Sequence, residues 1–409
     1  MSKADYRPFL PGPGQSKIAG PTPRAHAEAR LKSPRAQELF GGWDRLLSEP
    51  FKGITSGGTV IPDLYTRAPS GAPTEAIAAA VAALLRLLSP EERAAMSFPV
   101  GSDQWRRWQN TELYVEDYGL RLDEVPAPVR EGVMAVVRAS LSARGYEVSR
   151  NVMRLNRFLG DLVGGPAVLG EWSYIFCLFG EPQAGEPWGW QLFGHHLSLN
   201  CFLLGQQMVL SPTFLGAEPS YADQGPFAGV SLFEDEERVG LALMRALSPG
   251  QQRTAIVAHA MMGGDLPPGR RHFADNLHLA GARQDNRVIP YEGIAAADLD
   301  PVQRKHLLDL IAAYVAPLPA GPGAARLQEI ERHLAETHFC WIGGFAEASP
   351  FYYRVQSPVI LIEFDHHAGV FLTNAEPAKF HVHTIVRTPN GNDYGVDLLR
   401  QHYETAHRR

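Results

Sequence analysis

The chain has 409 residues, 45% of them hydrophobic and 20% charged, which is enough apolar material for a large core and excludes global disorder. Its 38 basic and 44 acidic residues leave a net charge of −6, with no basic excess for a nucleic-acid backbone. No apolar run reaches the ~18 residues of a membrane span, and the length allows two or three domains or one large one.

The first eight residues, Met1 to Pro8, lack the apolar stretch of a secretory signal, so the cytoplasm is the expected location. Residues 7–35 are rich in proline and glycine and predict an extended arm that wraps the body or stays mobile. Residues 1–73 are therefore the extended N-terminal arm and the start of the domain, and 74–409 a single intertwined α+β domain. Helical spacing of Ala and Leu predicts the first regular helix from Thr74 to Leu88. Ser89-Pro90 with Glu92, Ser248-Pro249 with Gln251, and Asp300-Pro301 with Gln303 each read as a helix start, with a capping side chain, proline in the first turn and a reciprocal Glu or Gln. Further helices are expected at 127–143, 149–163, 233–246, 302–315 and 324–336, with a linker over Pro317–Gly323.

Strand patterns fall in two blocks, Tyr174 to about Phe214 and His338 to Val386, where β-branched and aromatic residues cluster. Helices flank both blocks. The expected fold is α+β, with a largely antiparallel sheet assembled from distant parts of the chain. Cys177, Cys201 and Cys340 have apolar neighbours and no CxxC spacing, so they read as small buried hydrophobes in a reducing compartment.

The histidines carry the chemistry. His381 and His383 stand at i and i+2 of a strand and so project from one face, where two imidazole nitrogens can converge on a metal ion ~2.0–2.1 Å from each. His195 and His196 lie in the strand-like segment Trp188 to Leu204. If that segment is regular they point opposite ways, and only one reaches a given centre unless a bulge turns the other. His196 has the more polar companions. A third imidazole beside His381 and His383 makes a site with an open position, able to activate water or hold a substrate oxygen. The bland alternative is buried histidines bonded to backbone or carboxylates.

Glu363 and Asp365 share a face of the apolar strand Val359–Asp365, where a carboxylate must be paired or used. Either can be a fourth ligand, an acceptor orienting an imidazole, or a general base; a structural ion pair to Arg354 or Arg387 is the competing reading. His366 and His367 extend the cluster or form an exposed turn. Arg387, on the His381 face, opens a turn-rich loop and can hold an anionic or carbonyl group of a substrate. Asp393, at the end of that loop, joins Glu363 and Arg387 as a catalytic candidate, against a plain role as helix cap. His402 and His407 fall on the last helix. Trp172, Trp188 and Trp190 wall a pocket or fill the core. There is no phosphate loop, Gly-x-Ser-x-Gly elbow or dinucleotide fingerprint.

Phe179-Gly180-Glu181-Pro182, the run Trp188–Asn200 containing Gly194-His195-His196-Leu197, Pro212–Pro219, Ile362-Glu363-Phe364-Asp365, His381-Val382-His383-Thr384, Arg387, Asp393-Tyr394-Gly395 and Leu398–Tyr403 together resemble the family catalogued as domain of unknown function 3500. The resemblance spans about residues 75 to 405 and names no activity. The chain departs from it at His366-His367 and in the longer turn Pro389–Asn392, so the resemblance carries His195, His196, His381 and His383.

The expectation is a metalloenzyme with a mononuclear site: His196, His381 and His383 as ligands, His195 as ligand or support, Glu363 as base or fourth ligand, and Arg387 as substrate anchor. The metal is divalent, zinc first, with water attacking a carbonyl-type carbon of a small-molecule substrate. Iron or copper would instead imply oxidative chemistry. A non-catalytic ligand-binding or structural protein is the contrasting reading. No nucleic-acid or membrane partner is expected, and a homo-oligomer stays open.

Overall fold

The structure, a computed structural model, describes residues 4–183 and 185–406. The three Ser/Asp-Pro helix starts form as their chemistry dictates. In each, the cap side chain accepts the N3 backbone N–H, and the N3 Glu or Gln returns a bond to the cap, giving helices Pro90–Met96, Pro249–Ala255 and Pro301–Val315. The helix expected over 149–163 starts earlier and runs Ala143–Val163, because Ser142 caps it on the Gly145 N–H. The linker reading of Pro317–Gly323 is corrected in its second half. Ala320–Arg332 is one helix, and Pro322 fits its first turn because the N–H it lacks would have no helical partner there. The arm is corrected too: it is helical over Pro23–Leu31 and Pro34–Leu47, with Thr22 and Ser33 as caps.

The described residues hold twelve strands in one sheet. They are β1 (Ser97–Phe98), β2 (Leu120–Arg121), β3 (Tyr174–Phe179), β4 (Pro187–Gly194), β5 (Leu197–Leu204), β6 (Gln207–Ala217), β7 (Ile256–Ala258), β8 (Ile294–Ala295), β9 (His338–Gly343), β10 (Phe351–Gln356), β11 (Leu361–His366) and β12 (Val382–Arg387). The order is β1-β3-β4-β5-β6-β12-β11-β10-β9-β7, with β2 beside β3 and β8 beside β9. Pairing is antiparallel except for β1–β3 and β7–β9, so the sheet is mixed but mostly antiparallel. The β6–β12 pair, with Val382–Val386 against Thr213–Ala217, joins the two strand blocks.

The two faces of the sheet's middle differ in chemistry. Ile362, Phe364, Val382, Tyr353 and Val355 point to one side and join the main apolar core, each contributing about 1.5–3 kcal/mol by burial. Their neighbours, one residue along each strand, form the other face: Arg354, Tyr352, Glu363, Asp365, His383 and Arg387, all buried. A face this polar must be satisfied or used. Among the described residues, no helix is long and apolar enough to cross a membrane. The three cysteines are buried and free, and Trp188 and Trp190 are fully buried in the core rather than lining a pocket.

Candidate metal centre

The segment Trp188 to Leu204 is not one strand. Gly194 pairs with Leu197, so His195 and His196 are the two central residues of the β4–β5 hairpin turn. The turn reverses the alternation, and Gln191 shares a face with Asn200, to which it donates a hydrogen bond at 2.5 Å. It also lifts both rings to one side: the His195 and His196 centroids stack at 3.8 Å. His196 takes a left-handed backbone, φ 63°, a conformation that costs roughly 1–3 kcal/mol for a residue other than glycine and clusters at functional sites.

Register explains the convergence. The Gly216 N–H donates to the His196 carbonyl at 2.8 Å, and Gly216 pairs with His383, which pairs with Asp365. His196, Gly216, His383 and Asp365 therefore form one row across four neighbouring strand positions. Glycine in that row leaves the space the rings share: a Cβ on Gly216 would lie 2.9 Å from Cδ2 of both His196 and His383. One row further on, the His367 N–H donates to the His381 carbonyl at 2.8 Å, so His367 and His381 stand side by side, with Glu218 across the sheet from His381.

Three ligand nitrogens, one each from His196, His381 and His383, lie within 4.8 Å of one another, all on buried residues. The Nε2 atoms of His381 and His383 are 3.1 Å apart. His381 Nδ1 donates to the Ala368 carbonyl at 2.9 Å, which puts its proton there and leaves the Nε2 lone pair facing its neighbours. Burial, reinforced by the neighbouring imidazoles, drives all three pKa values well below the usual histidine range, so the rings are neutral and able to ligate. Glu218, its carboxylate accepting N–H bonds from Val370, Phe371 and Leu372, stands 3.7 Å from His381 Nδ1. Burial lifts its pKa to about 7 against those three bonds.

The other expected residues distribute differently. His195 takes the supporting position: Nδ1 bonds to Asn156 Oδ1 at 2.7 Å and the ring backs His196. Glu363 is on the histidine face but already engaged, accepting the N–H groups of Leu279 and Ala280 and the Tyr352 hydroxyl. Burial pushes its pKa up, but His278, Arg354, Tyr352 and Arg270 outweigh this and hold it below the usual value, so the base expected at Glu363 is a fixed anion that pins the 277–280 loop. Arg387, four residues beyond His383, is about 13 Å further along the strand. Its guanidinium is fully buried and bonds to Asp285 at 2.8 Å, Asp393 at 3.2 Å and the carbonyls of Ala280 and Gly281. Asp393 also accepts from Ser211 and the Thr388 N–H. The geometry thus corrects the substrate-anchor and catalytic readings of Arg387 and Asp393: the pair closes a loop, away from the imidazoles. His402 lies on the helix Val396–Ala406 against Tyr403, and His407 lies outside the described residues.

Two residues enter that the strand pattern left open. His367 places its ring 4.7 Å from His381 and 4.5 Å from His383, while His366 points to the opposite face and meets Glu237. Asp365, beside His383, keeps Oδ1 without a partner although fully buried, and His278 Nε2 is likewise unpartnered, 6.2 Å ring to ring from His383. The antiparallel hairpin register 365–383 could have found His367: moving two residues along both strands puts it opposite His381. His278 has no comparable signal in its loop.

The fold and the site together define a mixed α/β protein with a buried three-imidazole cluster beneath a cleft. A family model described as protein of unknown function (DUF3500) matches residues 70–396, most of the chain, and the chain belongs to that family. No curated protein and no solved structure matches it.

Proposed function

We propose that this protein is a metal-dependent enzyme whose mononuclear centre is held by His196, His381 and His383, and that it hydrolyses a carbonyl-type bond in a small organic substrate. The carrying observation is the convergence of three neutral, buried imidazoles whose ligand atoms lie within 4.8 Å of one another. The donor set fits a metal: ligand nitrogens ~2.0–2.1 Å from a tetrahedral zinc are about 3.3 Å apart, and the His381–His383 pair stands at 3.1 Å. Two bare Nε2 atoms at that distance repel each other unless a proton or a cation lies between them. When bound, zinc in a three-histidine site supplies Lewis acidity and lowers the pKa of water.

The chain's own part is positional. Ala368 orients His381, Asn156 and His195 back His196, and Gly216 keeps the shared space clear. Asp365 pairs across the strands with His383 and keeps one buried oxygen without a partner. A donor set of nitrogen alone also suits iron or copper, which gives the second reading, an oxidoreductase acting on a small organic molecule.

Elemental analysis of protein purified without added metal, compared with the His381→Ala/His383→Ala variant, tests this. Expected are about one zinc per wild-type chain and a loss of more than about tenfold in the variant. Stoichiometric iron or copper moves the reading to oxidative chemistry. A metal-free wild type, or a variant that keeps its metal, overturns it.

A further inference from the structure

The cluster opens into a cleft of about 290 Å³, lined by His195, His196, His367 and His383 at its floor. Its charged walls run against the protein's overall sign. On a chain of net charge −6, the cleft is lined by Lys17, Arg30, Arg35 and Arg271, with Glu112 as its single acid. Glu112 is hydrogen-bonded to the buried His26, 3.2 Å away, so the lining carries four cations against one carboxylate. The four cations form no salt bridge among the described residues. Lys17 rests on the Val370 carbonyl, Arg35 donates to the Phe273 carbonyl at 2.7 Å, and Arg271 donates through Nε to Asn276 at 2.8 Å. These are contacts to neutral oxygens, which position the charges without cancelling them. Burial and the nearby Arg30 and Arg35 lower the Lys17 pKa, against the buried Glu218 and Glu112, so the cations sense one another. The remaining wall is mixed, with the aromatic Phe40, Phe273 and Phe371 beside the polar Ser33, Asn110, Thr111 and Asn276.

Resting on the metal-centre reading above, we propose that the ligand taken by this site is a small organic anion, an apolar body bearing a carboxylate or a phosphate, and that the N-terminal arm supplies the charge that selects it. Guanidinium groups bind both anions through paired N–H donors, and a cleft lined by one sign of charge concentrates the opposite sign. Lys17, Arg30 and Arg35 all precede residue 70, where the family match begins. The imidazole floor thus comes from the segment that defines the family, and three of the four selecting charges come from outside it.

The test is calorimetric titration of the full-length chain, metal-free and zinc-loaded, with benzoate, its neutral counterpart benzamide, and phenyl phosphate. Expected is binding of at least one anion about tenfold or more tighter than benzamide in both forms. The tighter anion identifies which headgroup the site takes. Arg30→Glu/Arg35→Glu is expected to lose that discrimination while keeping wild-type metal content. Benzamide binding as tightly as both anions overturns the inference, as does discrimination surviving the charge reversal, or no binding of any probe. The two readings fail separately. A metal-replete protein indifferent to ligand charge sinks the inference alone, and a protein without metal that still prefers anions through Arg30 and Arg35 sinks the metal reading alone.

Discussion

Strand β12 carries a buried polar cluster at each end. At Arg387 the charges are closed on themselves: guanidinium, Asp285, Asp393 and two backbone carbonyls satisfy one another with no access from solvent. At His383 the rings are as deeply buried, yet His381 and His383 present nitrogens to each other, and Asp365 Oδ1 and His278 Nε2 have no partner. Burial is common to both ends and so tells nothing about use. Spare hydrogen-bonding capacity at one end, beside a cleft, is what separates a candidate reaction centre from a structural clamp.

The sharpest way to break this comparison is at the clamp. Arg387→Ala leaves Asp393 buried without a counter-charge, while Asp285 keeps Arg106 at 3.0 Å, and about 3–5 kcal/mol of stability is expected to go. Chemical denaturation measures it, and the folded fraction should keep its metal. A loss under 1 kcal/mol would show that the clamp is not structural.

Acid comes next. Burial lowers His195 and His367 to about 4, whereas unfolded imidazoles take protons near 6.5. Between those values the unfolded chain binds more protons, so the stability these two rings give the metal-free protein is lost as pH drops from about 7 to about 4, and the more strongly lowered His196, His381 and His383 extend the loss to lower pH. The loss is on the order of 3 kcal/mol per ring. Denaturation curves against pH check this, and His195→Gln/His367→Gln should flatten the slope.

Gly216→Ala is expected to act on the metal with a smaller effect on folding. Its methyl group presses on the His196 and His383 rings, and displacing ligands by a few tenths of an ångström should weaken metal affinity about 10–100-fold. Competition with a chromophoric chelator reads it. Unchanged affinity would mean that the rings need not share the space above residue 216.

Much of this was legible in the residues. Ser89, Ser248 and Asp300 announced their helices because capping is local chemistry, and His381 with His383 declared a shared face because a strand alternates. The same cap–proline device stands at Thr22-Pro23 and Ser33-Pro34, but there the surrounding proline, glycine and charge hide any apolar stripe. His195-His196 resembles strand because a hairpin turn made of two histidines has none of the usual Asn or Gly signal. The roles of Arg387 and Glu363 depended on Asp285 and the 277–280 loop, about a hundred residues away in sequence, and no local pattern reports such partners.

The left-handed backbone at His196 sets two selections against each other. Glycine at that position would relax the turn, so a survey of variants ranked by heat resistance should favour it. A survey ranked by retained metal should reject it as strongly as loss of His381 or His383. Residue 196 is therefore where thermostability and occupancy should disagree in sign, and a library sorted both ways would identify it without any knowledge of the substrate.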